Sequence, residues 1–208
     1  MDTKALIADA AYRLLTKYPI TELTLIEIAH EAGVSKRTVY NHFQDKFEIA
    51  QYLCGKIDND FFDGEQHSLA EYCGENPRQN YGYVWEHADF FRNVLCYSGQ
   101  NSLMDYVSEL FLQRLLRDIR KAQGCDEISE EVLAAAEYFA YSSTYCSYEM
   151  LKGAIPRRYI NTGKPCMDLY LPAPLLNLFS KSVGAGAPQK NAASAAQKLS
   201  GSSTAPES

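Results

Sequence analysis

The chain has 208 residues, an apolar fraction of 46% and a formal net charge of −6. That is enough for one large or two small globular domains, and too acidic for general polyanion binding through the field of the whole molecule. No apolar run reaches transmembrane length, and the N-terminus MDTKALIADAAYRLL lacks the basic start and unbroken apolar core of a signal peptide, so a cytoplasmic protein with no membrane partner is expected. Cys54, Cys73, Cys96, Cys125, Cys146 and Cys166 are widely spaced with no CxxC pair. They read as small apolar residues rather than a zinc site, with a thiol redox sensor as the open alternative.

The first helix is predicted from Lys4 to Tyr18. Leu6, Ala10, Leu14 and Tyr18 recur at helical spacing beside Ile7, Ala11 and Leu15, and Pro19 stops the pattern. The stretch Thr24 to Lys46 then carries the densest local signals. Leu25, Ile28, Ala29 and Ala32 fall at i, i+3, i+4 and i+7. Thr24 is a good N-cap, with Glu27 placed to close a capping box. Gly33 can turn the chain at no steric cost. Ser35 caps a second helix running to Phe43, on which Val39 and Phe43 face the first. Two short helices around a glycine turn make a helix-turn-helix, with the second helix available to the major groove.

The outward chemistry of that second helix suits double-stranded DNA. Lys36 and Arg37 lie in its first turn, and an arginine can grip guanine O6 and N7 while Asn41 could do the same for adenine. Thr38, Tyr40 and His42 offer polar groups to phosphate oxygens, and Thr24 and Ser35 join the candidate contacts from the two caps. Lys46, behind Asp45 with Glu48 three residues on, is expected to meet a backbone phosphate at the start of the next helix. The residues AHEAGVSKRTVYNHFQDKFEIA, and within them Ala29, Ala32-Gly33-Val34-Ser35, Thr38, Tyr40, His42-Phe43 and Lys46, resemble the DNA-binding domain of TetR-family transcriptional regulators. The resemblance covers roughly the first quarter of the chain.

Downstream, Phe47, Ala50, Cys54, Ile57 and Phe61, with Leu53 beside them, predict a long helix closed by Asp63-Gly64. Gly55 inside it costs about 1 kcal/mol against Ala. SLAEYC reads as a helical turn and GENPRQN as a loop. Tyr81, Tyr83, Trp85, Phe90, Phe91 and Tyr97 mark an aromatic region of two short helices ending near Ser98-Gly99. Ser102 should cap a longer helix in which Leu103, Val107, Phe111, Leu115 and Ile119 recur every four residues, ended by Gly124. From Ser129 to Lys152 two stripes run on opposite sides of one helix: Val132, Ala136, Phe139, Ser143, Cys146 and Met150, against Tyr138, Tyr141, Tyr145 and Tyr148. Gly153 and Pro156 stop it, RRYINTGKP reads as a loop, and a last helix starting near Pro172 to Pro174 carries Leu175, Leu176, Leu178, Phe179 and Val183. Beyond Gly184 the composition leaves almost nothing to bury, and a disordered tail is expected.

The expected fold is therefore all-α. A three-helix helix-turn-helix DNA-binding domain over 1–46 precedes a helical domain over 47–183 and a tail over 184–208. The family resemblance implies that the second domain binds a small organic effector and forms a homodimer, that the operator is roughly palindromic, and that the protein acts as a repressor. On that basis Trp85, Phe90, Tyr106, Phe111, Tyr138, Tyr141 and Tyr145 are the effector candidates. Ala136, Phe139, Ser143, Cys146, Leu175 and Phe179 are the dimer candidates, the small ones because they let a partner helix approach. A monomeric bundle is the alternative for the helix of two stripes. Nothing marks a catalytic, metal or cofactor site, since His67 and His87 are isolated and no phosphate-cradling glycine loop is present, so an enzyme is not expected. The alternative function is a helical protein-interaction adaptor that keeps the fold without specific DNA binding, a reading the acidic balance favours.

Overall fold

The computed structural model describes residues 2–62, 84–99, 102–155 and positions 174, 175 and 178. Within them the chain is helical, with no strand among the described residues. The Asp63-Gly64 stop, the segment 65–80, Tyr81, Tyr83, the loop after Pro156, Phe179 and the tail lie outside the described residues.

Helix α1 (Thr3–Leu15) opens at Asp2, whose carboxylate accepts the Lys4 N–H, and buries Ile7, Ala8, Ala10, Ala11 and Leu15. It stops three residues before the predicted end. The N–H groups of Lys17 and Tyr18 both turn back to the Leu14 carbonyl. The cause is Pro19, which disfavours the helical region for the residue before it. Tyr18 is consequently 48% exposed rather than part of the buried stripe.

Helices α2 (Leu25–Glu31) and α3 (Lys36–Tyr40) follow, and α4 (Lys46–Phe62) runs unbroken through Gly55. A Cβ at Gly55 would meet the Tyr106 hydroxyl at 3.5 Å, an ordinary contact, so the helix has room for a larger residue there. Helix α5 (Ala88–Val94) buries Phe90, Phe91 and Val94. Helix α6 (Leu103–Gln123) buries the whole predicted stripe, Leu103, Val107, Phe111, Leu115 and Ile119. Ser102 precedes it without a side-chain cap bond, and Gly124 ends it as expected. Helix α7 (Glu130–Leu151) starts from Ser129, whose hydroxyl accepts the Val132 N–H.

Two apolar clusters hold these helices together. The first joins α1, α2, α3 and α4 to α5, the start of α6 and Leu151 at the end of α7, so the core continues without a break across position 46. The second lies between α6 and α7, where Phe111 and Phe139 stack at 5.7 Å between ring centroids and Leu175 closes the cluster. A buried ion pair from Asp58 on α4 to Arg114 on α6 crosses between the helices, and Cys54, one turn before Asp58, is buried beside it in sequence. Burial pushes the Asp58 carboxyl above its ordinary range despite the pull of Arg114.

The two stripes of α7 are present, and they differ in burial within the subunit. Ala136 and Phe139 are buried within the subunit against α6, Ser143 is buried as well, and Leu175 is fully covered. They were expected at a dimer surface. The physical reason is that small side chains let α6 approach α7 closely, so the nearest helix of the same chain takes that face. Tyr138, Tyr141 and Tyr145, expected to line a ligand chamber, are 60%, 37% and 53% exposed. Cys146 is exposed as well. Ala136→Leu should therefore cost about 1–3 kcal/mol by overpacking. Denaturant unfolding at low protein concentration checks this, and a surface position would leave the midpoint almost unmoved.

Candidate DNA-binding site

The reader is built by short-range hydrogen bonds before any long-range contact is made. The Thr24 N–H donates to Glu27 Oε2 at 2.8 Å, and the Glu27 N–H donates to Thr24 Oγ1 at 3.3 Å, the reciprocal capping box the spacing predicts. The Thr24 hydroxyl also donates to Glu27 Oε2 at 2.8 Å, and these bonds hold the carboxyl below its usual range. At the other end of α2, Gly33 takes φ +66°. Its N–H reaches the His30 carbonyl at 3.1 Å and the Val34 N–H reaches the Ala29 carbonyl at 3.0 Å. These two bonds are a Schellman end, which requires a left-handed residue at that position.

Ser35 then starts α3 by accepting the Thr38 N–H at 3.0 Å and sharing a 2.7 Å hydrogen bond with the Thr38 hydroxyl. The helix is five residues long, shorter than the predicted span to Phe43, because Asn41 caps it. Too short to hold itself, it is fixed from behind: Val39 is fully buried and Phe43 is 2% exposed. Phe43 sits edge-on to Tyr52 at 5.7 Å, and the Lys4 amine lies over both rings. With one side so anchored, Lys36, Arg37, Tyr40 and Asn41 are exposed. The Lys36 amine lies 5.5 Å from the centre of the Tyr40 ring, which is 50% exposed. Thr38 and His42 are half-buried at the edge of this face.

Lys46 has a second occupation that its spacing did not reveal. Its amine donates to the Leu23 carbonyl at 2.8 Å and the Thr21 carbonyl at 3.2 Å. It thereby fastens the α1–α2 loop to the start of α4, where Asp45 accepts the Glu48 N–H at 2.8 Å. These two bonds use two of the three ammonium protons.

The remaining candidates do not gather into one site. Phe90 is in the core shared with α1, and Phe111 lies in the α6–α7 cluster. Trp85 and Tyr106 are half-buried against the first cluster, and burial raises the Tyr106 phenol above its ordinary range. A cleft of about 340 Å³ at the end of α6 is lined by Arg117, Arg120, Lys121, Gly124, Cys125 and Asp126, and none of the aromatic candidates lines it. Among the described residues no group of three or more His, Cys, Asp or Glu side chains could hold a metal ion, and no helix is long and apolar enough to cross a membrane. Local reasoning also missed a clamp between α1 and α5, made by Tyr12 with His87 and by Leu15 with Asn93. Its partners stand 75 and 78 residues apart, so no local pattern marks it.

The anchored helix with an exposed basic, aromatic and amide tip defines the helix-turn-helix class. Residues 7–53 match the family model described as "Bacterial regulatory proteins, tetR family". Over 56 residues the chain is 38% identical to the HTH-type transcriptional regulator TtgR and to the probable HTH-type transcriptional regulator ArpR, both of Pseudomonas putida. Each alignment spans 27% of this chain and 27% of that protein. The crystal structure of a tetR-family transcriptional regulator from Streptomyces coelicolor shares the fold with a TM-score of 0.62, covering 96% of this chain and 97% of that one at 18% identity. The dihydroxyacetone kinase operon activator DhaS gives a TM-score of 0.50, with 88% and 97% covered at 16% identity. The likeness to the TetR family of bacterial regulatory proteins therefore lies in the DNA-binding domain, residues 7–53, and the alignments span about a quarter of the length of the curated relatives.

Lys46→Ala should lower stability by about 1–2 kcal/mol, since it removes two hydrogen bonds from a charged donor. Thermal unfolding without DNA checks this. An unchanged melting temperature would return Lys46 to a pure phosphate role.

Proposed function

We propose that the protein is a homodimeric, sequence-specific DNA-binding transcriptional regulator, acting as a repressor and released from its operator by a small organic effector. The observation that carries the reading is the exposed row Lys36, Arg37, Tyr40 and Asn41 on a helix locked from behind by Val39 and Phe43. Through Lys46 the chain has six basic and six acidic residues. Affinity then comes from where the cations point rather than from net charge, and Arg13 is already turned to Glu31 at 2.9 Å, off the reading face. In this reading Arg37 and Asn41 address base edges. Thr24, Ser35, Thr38, Tyr40, His42 and the remaining proton of Lys46 address the backbone.

The proposed dimer uses the outward face of α7, Tyr138, Tyr141 and Tyr145 with Cys146, while Ala136, Phe139 and Ser143 support it from within. Tyrosine suits such a surface because a large rigid ring carries a polar tip. Two-fold symmetry then presents two reading helices to a roughly palindromic operator, about 34 Å apart or a little more. The effector acts by binding unequally to the two spacings of the reading heads. Trp85 and Tyr106, at the junction of α4, α5 and α6, are the aromatic groups best placed to meet it.

Two measurements test the proposal. In fluorescence anisotropy against genomic fragments, Arg37→Ala should weaken specific binding by roughly 1–3 kcal/mol and leave non-specific binding nearly unchanged. Wild-type affinity in the variant would remove Arg37 from the contact. In sedimentation velocity, Tyr145→Arg should shift a dimer toward monomer with helicity retained. A dimer that persists would place the interface elsewhere.

A further inference from the structure

Arg92 and Asn93 are neighbours on α5, yet they hold two helix ends that are far apart in the chain. The last carbonyls of an α-helix have no partner within the helix. Arg92 Nε donates to one of these at the end of α7, the Leu151 carbonyl, at 3.0 Å. Its other arm is braced by Asp89. Asn93 Nδ2 donates to the carbonyl that ends α1, that of Leu15, at 2.8 Å, and the Asn93 carbonyl accepts the Ile20 N–H at 3.0 Å. One turn earlier, the Tyr12 hydroxyl meets His87 Nδ1 at 2.6 Å and the Tyr12 ring packs on Phe90 at 5.3 Å. Phe90, Phe91 and Val94 are buried in the cluster that also holds Ile7, Leu15 and Leu151.

Consecutive helical residues point about 100° apart, so one short rigid rod can reach two neighbours at once. A displacement of the α7 end pulls on Arg92, and the same backbone carries Asn93. One Asn93 bond ends on the last residue of α1 and the other on Ile20 in the α1–α2 connection, which sets how α2 and α3 leave α1. We infer that α5 is a two-ended tie through which the C-terminal end of α7 positions the reading head, with Arg92 and Asn93 as its positioning residues. Its regulatory use rests on the reading under Proposed function, because α7 carries the proposed dimer face.

Hydrogen exchange of the full-length protein without DNA tests the tie. Arg92→Met keeps the apolar stem, removes both donors and touches nothing in the reader. It should speed exchange over residues 16–23 about three- to tenfold while 25–43 exchange as in wild type. Asn93→Asp, which removes the Nδ2 donor at constant size, should affect the same residues, and the double variant should add little to either. A change confined to 149–155, no change at all, or equal acceleration over 25–43 would each overturn the tie, the last by showing general destabilisation. This readout needs no operator. If wild-type protein binds no DNA fragment, the proposed function fails and the exchange result still decides the tie.

Discussion

The burial of Val39 and Phe43 is the contact on which the reader depends. A five-residue helix has no stability of its own, because nucleation is costly and too few bonds follow to repay it. Its position is set by what lies behind it. Val39 fills the crossing with α2, where Ala29 is small, and Phe43 joins Tyr52 and the aliphatic interior of α4. Because those side chains have one way in, Lys36, Arg37, Tyr40 and Asn41 have one way out. The polar surface is thus a consequence of an apolar constraint, and the Gly33 turn is its geometric condition.

That constraint extends beyond the first three helices. The cluster holding Phe43 continues through Ile49, Leu53 and Ile57 into Phe90, Leu103 and Leu151. Lys46 pins the loop before α2 at Thr21 and Leu23, and the Asn93 carbonyl pins the same connection at Ile20. The ion pair of Asp58 and Arg114 joins the same strut, α4, to α6. A charged pair at that depth is costly to separate and contributes little to net stability, so it favours one register of α4 against α6 over others. The reading head is therefore oriented by several directional contacts set on a continuous apolar core.

Much of this was legible in the sequence where the governing contacts are local. The capping box of Thr24 and Glu27, the turn at Gly33, the cap at Ser35 and the stripe of α6 each span a few residues, and each is present. Contacts within the subunit between distant segments were harder to read. Periodicity located two faces on α7 but could not say that α6 of the same subunit would take the small-residue face and leave the tyrosines outside. Spacing put Lys46 at the start of a helix, yet its bonds run to Thr21 and Leu23, which lie close only after folding. Tyr18 had the right period for the core, but Pro19 turned the chain first. The clamp through His87 and Asn93 has no local signal, since it consists of single polar contacts between distant segments.

In the proposed mode of binding, α3 enters a major groove with Arg37 at base edges, twice per dimer. Dimethyl sulfate interference on a bound genomic fragment reads this directly, because methylation at guanine N7 blocks a major-groove acceptor. Interference at guanines in two symmetric half-sites, centred about one helical turn apart or a multiple of it, is the result expected. Binding indifferent to guanine N7 methylation, or disturbed only by methylation of adenine N3 in the minor groove, would contradict it.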